Sequence, residues 1–377
     1  MVKKCVIELN NDMCSLETSC DTNSLLTTNS DLQNMLLGYK NKITDYYHNK
    51  SWDKYKKISN EYETIFTTPN TSHNMSHYTP VSRSFFKLWE ILHDFNQELN
   101  LNSSGIKVCL LCEGPGGFAE ALIKYRNNVN DKYYGISLKS NNDRNIPEWK
   151  VPKSANVMNI CYGADNTGNL YKMANITYLV NYVGKQSVDL ITADGGFDFS
   201  SDFNHQEEMS MQLIYCEILA ALLMQKDGGS FILKIYDMFT ENSLKIIQVL
   251  KFFYEKIYIV KPLSSRPANS EKYLVCVGFK RREESKKYFK ILFELVTKSS
   301  GHIDIPFDNR ILQHIVSYNT YYTIRQIFHI QKTIDYINIF HNSVTSSSNI
   351  SPNKNLLNAI LEENRKKSYK WCMKYNI

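Results

Sequence analysis

One stretch of the chain, residues 107–121, joins a buried strand to a helix through a glycine loop. It reads KVCLLCEGPGGFAEA. The apolar run at 108–112 predicts a short buried strand, and the apolar segment from Phe118 predicts the helix that follows. Between them, Gly114-Pro115-Gly116-Gly117 lets the backbone turn sharply and approach a ligand closely. This order is typical of the opening unit of nucleotide-binding α/β folds, although a tight turn without a ligand has the same pattern.

Apolar strands and amphipathic helices alternate downstream of this unit. Strands are predicted at 133–138, 156–160, 188–193, 230–236, 256–260 and 273–279, and helices at 171–182, 204–225 and 242–254. The helix at 204–225 is expected to stop at Asp227-Gly228-Gly229, because glycine is a common stop signal. This alternation predicts an α/β fold, with a Rossmann-like sheet of seven mainly parallel strands and helices on both faces.

The regions on either side of this sheet have a different character. Residues 1–24 are polar and lack periodicity, so we expect a tail, whereas 25–66 has the pattern of two or three helices. A further helix is predicted from Ser82, and the chain is helical and aromatic from Arg281 onward. We therefore divide the chain into an N-terminal tail and helical extension at 1–78, an α/β domain at 79–280, and a basic helical region at 281–377.

Composition excludes several classes of protein. No apolar segment is long enough to span a bilayer, and the N-terminus lacks the apolar core of a secretory signal. The nine cysteines are scattered without a framework, which favours a reducing, intracellular compartment. Cys109 and Cys112 form a single CxxC without a second pair, so we expect no metal site.

The net charge of +6 is carried by the last quarter of the chain. Residues 281–377 contain 15 Lys and Arg against 8 Asp and Glu, a net +7, which leaves −1 for the remainder. Such an excess is typical of a surface that binds a polyanion. A solvated helical face produces the same bias, and composition does not separate the two.

Charged residues stand where ligands bind in parallel α/β sheets, at the carboxyl ends of strands. Glu113 follows the first strand, Asp165 the third and Asp194 the fourth. Lys234 lies inside an otherwise apolar strand, where an ammonium group is costly unless it has a partner or a function. Each has an ordinary alternative, because an Asp-Gly pair also forms turns and a lysine can pair with a carboxylate.

Two more charged residues have no such signal of their own. Lys87 lies on the outer face of the helix predicted from Ser82, where surface lysines are common. Glu271 follows a loop of Ser, Arg, Pro and Asn and reads by itself as a surface carboxylate.

Five segments occur in one order along about 200 residues. They are SRSFFKLWEIL, CEGPGGFAEAL, LITADGGFDF, GGSFILKIYD and KPLSSRPANSEKYLVCVGF. In this order they resemble the FtsJ-like RNA ribose 2′-O-methyltransferases, in particular the Adrift-type branch that methylates mRNA caps. The full run is most similar to the cap methyltransferase-like proteins of large cytoplasmic DNA viruses.

The resemblance implies a reaction and a set of catalytic residues. It implies that S-adenosylmethionine, the methyl donor, methylates a ribose 2′-hydroxyl at the 5′ cap of mRNA. The family's Lys-Asp-Lys-Glu tetrad matches Lys87, Asp194, Lys234 and Glu271, with Lys234 as general base. Implied partners are capped mRNA and other capping-enzyme subunits, without a membrane. The compartment would be the cytoplasm or virion for a viral protein and the nucleus for a cellular eukaryotic one.

The resemblance also places the donor on the opening unit. It implies contacts from Glu113, Gly114, Pro115, Gly116, Gly117 and Phe118, with Asp165 near the adenine and Asp194 near the methionine end. Ribosomal relatives carry acidic residues where this chain has Leu110 and Ser137. Tyr78 and Trp149 are loop aromatics that could stack on a cap guanine.

Two alternatives remain open from the sequence. The chain could methylate the 2′-hydroxyls of ribosomal or internal RNA instead of the cap. It could also serve as a weakly active subunit of a capping complex that binds the donor or RNA. The oligomeric state and the methylated nucleotide are not specified by these patterns.

Overall fold

The computed structural model describes residues 6–8, 21–47, 50–67, 74–140, 143, 145–150, 158–197, 204–298, 301–341 and 350–377. The strands are β1 (Val6–Glu8), β2 (Lys107–Leu111), β3 (Lys132–Ile136), β4 (Met158–Cys161), β5 (Val188–Ala193), β6 (Gln225–Tyr236), β7 (Tyr254–Val260) and β8 (Glu271–Phe279). The helices are α1 (Thr22–Tyr47), α2 (Ser51–Ile58), α3 (Ser84–Asp94), α4 (Asn96–Leu99), α5 (Gly117–Arg126), α6 (Met173–Val183), α7 (Gln206–Met224), α8 (Glu241–Phe253), α9 (Ser285–Lys298), α10 (Asn309–Phe340) and α11 (Ile350–Tyr375), with a 3₁₀ turn at Glu63–Ile65.

All eight strands belong to one mixed sheet in the order β1-β7-β8-β6-β5-β2-β3-β4. The pairs β3–β4, β2–β3, β2–β5 and β5–β6 are parallel, whereas β8 runs antiparallel between β6 and β7. The predicted seven-stranded, Rossmann-like α/β sheet is therefore confirmed. Strand β2 lies in the middle of the sheet, and the chain continues from it first to β3 on one side and later to β5 on the other. A crevice therefore opens at the carboxyl end of β2.

The eighth strand corrects the prediction of a tail at 1–24. Val6–Glu8 pairs antiparallel with the edge strand β7, with Val6 opposite Val260. A strand of three residues is too short to show an alternation of apolar and polar side chains, so the sequence did not predict it. The pairing depends on backbone groups instead. Residues 22–24 open α1, and the remainder of the predicted tail, apart from residue 21, lies outside the described residues.

The glycine signal after α7 also has a different role from the predicted helix stop. The helix ends at Met224, and Gln225 already belongs to β6. The β5–β6 register shifts between Val188 and Leu190, and Gly228 has a φ of 77° within the strand. Val188 pairs with Gln225 and Leu190 with Ser230, so residues 226–229 bulge out opposite Asp189 alone, and glycine adopts the required backbone angle without strain.

Two apolar layers cover the sheet, because successive strand residues point to opposite faces. On β6, Ile232 packs on the face that holds α3 and α5, together with Val275 of β8. Its neighbours Phe231 and Leu233 pack on the opposite face against α7 and α8. All of these side chains are fully buried, and burial of each contributes about 1.5–3 kcal/mol.

The helical extensions predicted at both ends are present and pack against each other. Leu36 of α1 and Trp52 of α2 form a cluster with Ile330, Ile334 and Ile337 of α10. Of the described helices, none is long and apolar enough to cross a membrane.

Candidate active site

A cavity of about 550 Å³ lies at the carboxyl ends of the central strands. Its wall includes residues from the start of α3, the glycine loop, the segments after β3, β4 and β5, and the end of β6. They are Ser82, Ser84, Cys112, Gly114, Pro115, Ser137, Leu138, Asn145, Ile146, Pro147, Gly168, Asn169, Leu170, Tyr171, Asp194, Gly196, Phe197, Leu213, Lys234 and Tyr236. The volume suits a ligand of nucleoside size, and most of the lining is apolar with a few polar groups.

The glycine loop forms the floor of this cavity by approaching other backbone closely. Gly116 has a φ of 111° and precedes the first residue of α5. A Cβ on Gly117 would lie 2.2 Å from the hydroxyls of Ser82 and Ser84, so only glycine allows the loop to pack on the start of α3. The segment at 145–150 crosses the loop, with the Lys150 amide donating to the Pro115 carbonyl at 2.8 Å.

The β6–β8 ladder gathers four polar side chains on one face of the sheet. Lys234 lies opposite Tyr273, and Tyr236 lies opposite Glu271. Directly paired residues share a face, and so do residues two apart along a strand. All four therefore point to the face covered by α3, which brings Lys87 above them.

The first ion pair joins Lys234 to Asp194. Lys234 Nζ lies 3.2 Å from Asp194 Oδ1 and donates to the Asp194 carbonyl at 2.7 Å. The Tyr273 hydroxyl donates to the same Oδ1 at 3.0 Å. Burial opposes a positive charge on Lys234, but Asp194, Tyr236 and Glu271 outweigh it and raise the pKa of the amine. These partners therefore favour the ammonium form of Lys234.

The second ion pair joins Lys87 to Glu271. Lys87 Nζ donates to Glu271 Oε2 at 2.7 Å, and the Ser265 hydroxyl donates to Oε1 at 2.9 Å. Burial alone would raise the pKa of Glu271, but Lys87, Lys234 and Lys261 together lower it to about 2. The four residues of the expected tetrad therefore come together as two ion pairs, and their catalytic roles stay predictions.

Lys261 was not expected from the sequence. Its ammonium group is buried and donates to the Glu271 carbonyl at 2.6 Å and the Asn269 carbonyl at 2.8 Å. Burial lowers the pKa of this amine well below its ordinary value, although Glu271 opposes the shift. No local pattern marks Lys261, because its partners are eight and ten residues further along the chain, in the next loop and at the start of β8.

Of the other residues predicted to contact the methyl donor, some line the cavity and some are buried in the protein interior. Gly114 and Pro115 line the cavity. Glu113 is buried and accepts a bond from the Thr192 hydroxyl at 2.7 Å, and burial followed by Asp194 raises its pKa well above the ordinary value. Phe118 is also buried, with its ring centre 5.9 Å from that of Tyr273.

Asp165 lies in the turn after β4. Its carboxylate accepts from the Thr167 hydroxyl at 2.7 Å, the Asn175 amide at 2.9 Å and Lys172 Nζ at 2.6 Å. Bonds from Lys172, Thr167 and Asn175 lower its pKa. It is outside the cavity wall, whereas Gly168, three residues further along the same turn, lines it. Its contact with the adenine stays a prediction.

Glu217 is a site residue that sequence reasoning missed. It is buried in α7 beneath Gly195, whose Cβ would lie 2.3 Å from Glu217 Oε1. Burial raises its pKa to about 8, although Lys234 and a bond from Cys112 oppose the shift. A carboxylate inside an apolar helix carries the same signal as a lysine inside an apolar strand, so the reasoning applied to Lys234 would have found it.

Leu110 and Ser137 occupy the positions where ribosomal relatives carry acidic residues, and the two lie in different surroundings. Ser137 follows β3 and lines the cavity, where a hydroxyl can still contact a ligand. Leu110 is fully buried in the layer beneath α3 and α5. The missing acidic group at Leu110 is thus replaced by core packing, not by another polar contact.

The order of strands β2 to β8, of which β8 alone runs antiparallel to the others, and the glycine loop beside the cavity define a Rossmann-like methyltransferase. The two ion pairs at the end of β6 lie beside this cavity. Residues 80–279 match the model of the FtsJ-like methyltransferase family, and the chain belongs to that family.

Several curated proteins are similar to part of this chain. The chain is 36% identical over 170 residues to "Cap-specific mRNA (nucleoside-2'-O-)-methyltransferase 1" of Trypanosoma brucei brucei, covering 45% of this chain and 46% of that protein. It is 36% identical over 177 residues to the human protein of the same name, covering 45% of this chain and 21% of that one. A Caenorhabditis briggsae relative, called methyltransferase 1A, is 31% identical over 240 residues, covering 59% of this chain and 27% of that protein. The chain thus spans less than half the length of these relatives.

Proposed function

We propose that the chain methylates a ribose 2′-hydroxyl at the 5′ cap of mRNA, with S-adenosylmethionine as donor. One observation carries the proposal: Lys234 and Glu271 face the same side of the sheet at the edge of a nucleoside-sized cavity, each held in an ion pair. The names of the curated relatives support both the reaction and the capped substrate. The family match at 80–279 covers the α/β domain that contains these residues.

The cavity and its polar groups fit the donor. Leu138, Ile146 and Pro147 give an apolar slot of the kind that holds an adenine ring, and the Ser137 hydroxyl lies beside it. Asp194, which follows β5, provides a carboxylate in another part of the cavity wall. This carboxylate would favour the positive charge of the sulfonium group. The bound donor supplies a methyl group attached to positively charged sulfur.

Lys234 is proposed to accept the proton that the attacking hydroxyl releases. A ribose hydroxyl is a poor nucleophile at neutral pH and needs a general base and alignment. Asp194 and Glu271 hold the amine in place and stabilise the ammonium ion that forms. A positive charge entering beside Asp194 offsets part of that carboxylate's effect and lowers the pKa of Lys234 toward the range in which it acts as a base.

A second pocket is proposed to hold the cap guanine. It has a volume of about 160 Å³ and lies between α1, α2, α10 and the loop before Glu271. Cavities of about 150 Å³ accommodate an aromatic ring. Trp52 and Ile43 provide an apolar wall, and Lys56 and Arg266 add positive charge, with Arg266 also paired to Glu63.

The loop aromatics considered from the sequence are already engaged elsewhere. The Tyr78 hydroxyl donates to Glu120 Oε1 at 2.8 Å, and its ring packs 5.1 Å from that of Phe85. The Trp149 ring packs over Gly135 on β3. We therefore prefer the pocket of Trp52 for the guanine.

A methyl-transfer assay with tritiated donor separates the proposal from its alternatives. Two RNAs of one sequence are compared, one capped and one bearing a 5′ triphosphate. We expect label only on the capped RNA, at a nucleotide that becomes resistant to alkaline cleavage because its 2′-oxygen is blocked. Equal labelling of both RNAs would favour internal RNA as substrate. Donor binding without labelling of either RNA would favour an accessory subunit of a capping complex.

A further inference from the structure

Three large apolar side chains project from one side of α10. Tyr321, Ile324 and Phe328 are 45%, 58% and 61% exposed. Residues three, four and seven apart lie along one face of a helix, so they form a continuous stripe. The opposite side of the same turns is buried, including Tyr322, which faces the sheet domain. An exposed apolar stripe of this kind marks a binding surface.

Positive charge is interleaved with this stripe. Arg325 lies between the aromatic residues, and its Nη1 donates to the Tyr321 hydroxyl at 3.2 Å. Lys332 lies one turn further on and is 3.8 Å from Glu61, which offsets part of its charge. Asp335 is the single acidic residue in the sequence of α10, and it accepts a bond from Gln331. The region 281–377 carries the net charge of +7, which complements an anionic chain.

The turns of α10 that carry the stripe contact the loop before Glu271 with their inner side. Gln326 Nε2 donates to the Ala268 carbonyl at 3.2 Å and lies 3.4 Å from the Ser270 hydroxyl. Ser270 directly precedes Glu271 on the chain. Arg325 itself lines a small groove shared with Ser265, whose hydroxyl bonds Glu271. This groove therefore joins Arg325, beside the stripe, to the loop that supports Glu271.

We propose that the stripe is a stacking platform for RNA. The platform consists of Tyr321, Ile324 and Phe328 together with Arg325, and it binds unpaired nucleotides of the RNA acceptor beyond the methylated one. Bases stack on aromatic rings and on guanidinium planes without sequence preference, and cations beside them contact phosphates. The inference deepens the proposed function and rests on it. The stripe belongs to α10, outside the region 80–279 that matches the family model.

The test compares acceptors of two lengths with a Tyr321→Ala/Phe328→Ala double variant. Both side chains are exposed, so the variant keeps its fold. We expect the KM for a capped, unstructured RNA of roughly 20 nucleotides to rise about tenfold. The kinetics on a capped dinucleotide stay unchanged, because that substrate ends before the platform. Tyr321→Phe and Phe328→Trp, which preserve the rings, keep the original KM.

A matched control variant comes from α11. Tyr369 and Met373 are 54% and 64% exposed there, and Tyr369→Ala/Met373→Ala should leave both acceptors unaffected. Arg325→Gln tests the charge separately. It should reduce the slope of log affinity against log salt for uncapped single-stranded RNA by about 0.7, the value for one phosphate contact.

Two results would overturn the platform. One is an unchanged KM for the long RNA in the double variant, which is also the result expected if the stripe binds a protein instead. The other is an equal loss on both acceptors, which would indicate an effect on the active site. If the unmodified protein methylates neither RNA, the proposed function fails. Fluorescence anisotropy with the uncapped RNA of roughly 20 nucleotides then still tests the stripe, since the double variant should bind it about tenfold more weakly.

Discussion

A buried cluster of three charges should hold the ends of the two strands that carry Lys234 and Glu271. Asp237 follows β6 and is 5% exposed, with Lys40 Nζ of α1 at 2.9 Å and Lys272 Nζ of β8 at 2.8 Å. The Asp237 amide also donates to the Ser270 carbonyl at 3.3 Å. Replacement of Asp237 by Asn would leave two buried ammonium groups without a carboxylate.

The free-energy changes follow from this imbalance. Breaking a buried ion pair costs about 3–5 kcal/mol, so Asp237→Asn should lose that amount of unfolding free energy at pH 7. Lys40→Met leaves the Asp237–Lys272 pair intact and should cost about 1.5–3 kcal/mol, the range for one hydrogen bond to a charged group. The double variant should lose less than the sum, because removal of Lys40 relieves one of the unpaired charges.

Urea unfolding of the four proteins measures these differences. Burial alone would raise the pKa of Asp237, but Lys272 and Lys40 together lower it. The carboxylate therefore stabilises the fold above the ordinary carboxyl pKa, and this stabilisation is lost as pH falls through the lowered value. The gap between the unmodified protein and Asp237→Asn should shrink in acid. An Asp237→Asn protein that loses less than about 0.5 kcal/mol, the limit for ordinary surface changes, would show that the cluster does not hold the strand ends.

Three further predictions concern the site itself. Glu217→Gln should stabilise the fold at pH 9 by roughly 2–4 kcal/mol and leave its stability unchanged at pH 4. The reason is that a carboxyl group with its pKa raised to about 8 lowers the stability of the folded protein as pH rises from 4.5 to 8. Urea unfolding at the two pH values measures the difference, and equal gains at both would contradict the prediction. Gly196→Ala should reduce methyl transfer about a hundredfold, because its Cβ would lie 2.6 Å from the Tyr236 hydroxyl and 3.0 Å from Lys234 Nζ; an unchanged rate in a folded variant would argue against it. Glu271→Gln removes a carboxylate that raises the pKa of Lys234, so the rising limb of the pH–rate profile should move to lower pH; a limb that stays in place would separate Glu271 from the base.

Apolar runs made most of the sheet predictable. Strand β5 agrees residue for residue with the prediction at 188–193, because a mostly apolar run, broken by Asp189 and Thr192, ends at Asp194. The bulge at Gly228 and the edge strand Val6–Glu8 could not be predicted, since both depend on which strand lies alongside. Local propensity does not contain that information.

The site divides in the same way. Lys234 stands out by its apolar neighbours alone, and the same rule would have identified Glu217. Lys87 and Glu271 are 184 residues apart, and only family resemblance indicated a relation before the structure brought them to 2.7 Å. Tyr273 is two residues from Glu271 on the same strand, so alternation along β8 places it in the site once Glu271 is known.

Lys234 is the proposed general base, and its replacement by alanine tests that role. Initial rates of tritiated methyl transfer to capped RNA are compared for the unmodified protein and Lys234→Ala, with donor affinity measured in parallel. The rate should fall at least about a hundredfold, the lower range for loss of a general base. Donor affinity should stay equal or tighten, because a positive charge has left the cavity wall. A folded Lys234→Ala protein that transfers methyl groups at the full rate would exclude Lys234 as the general base.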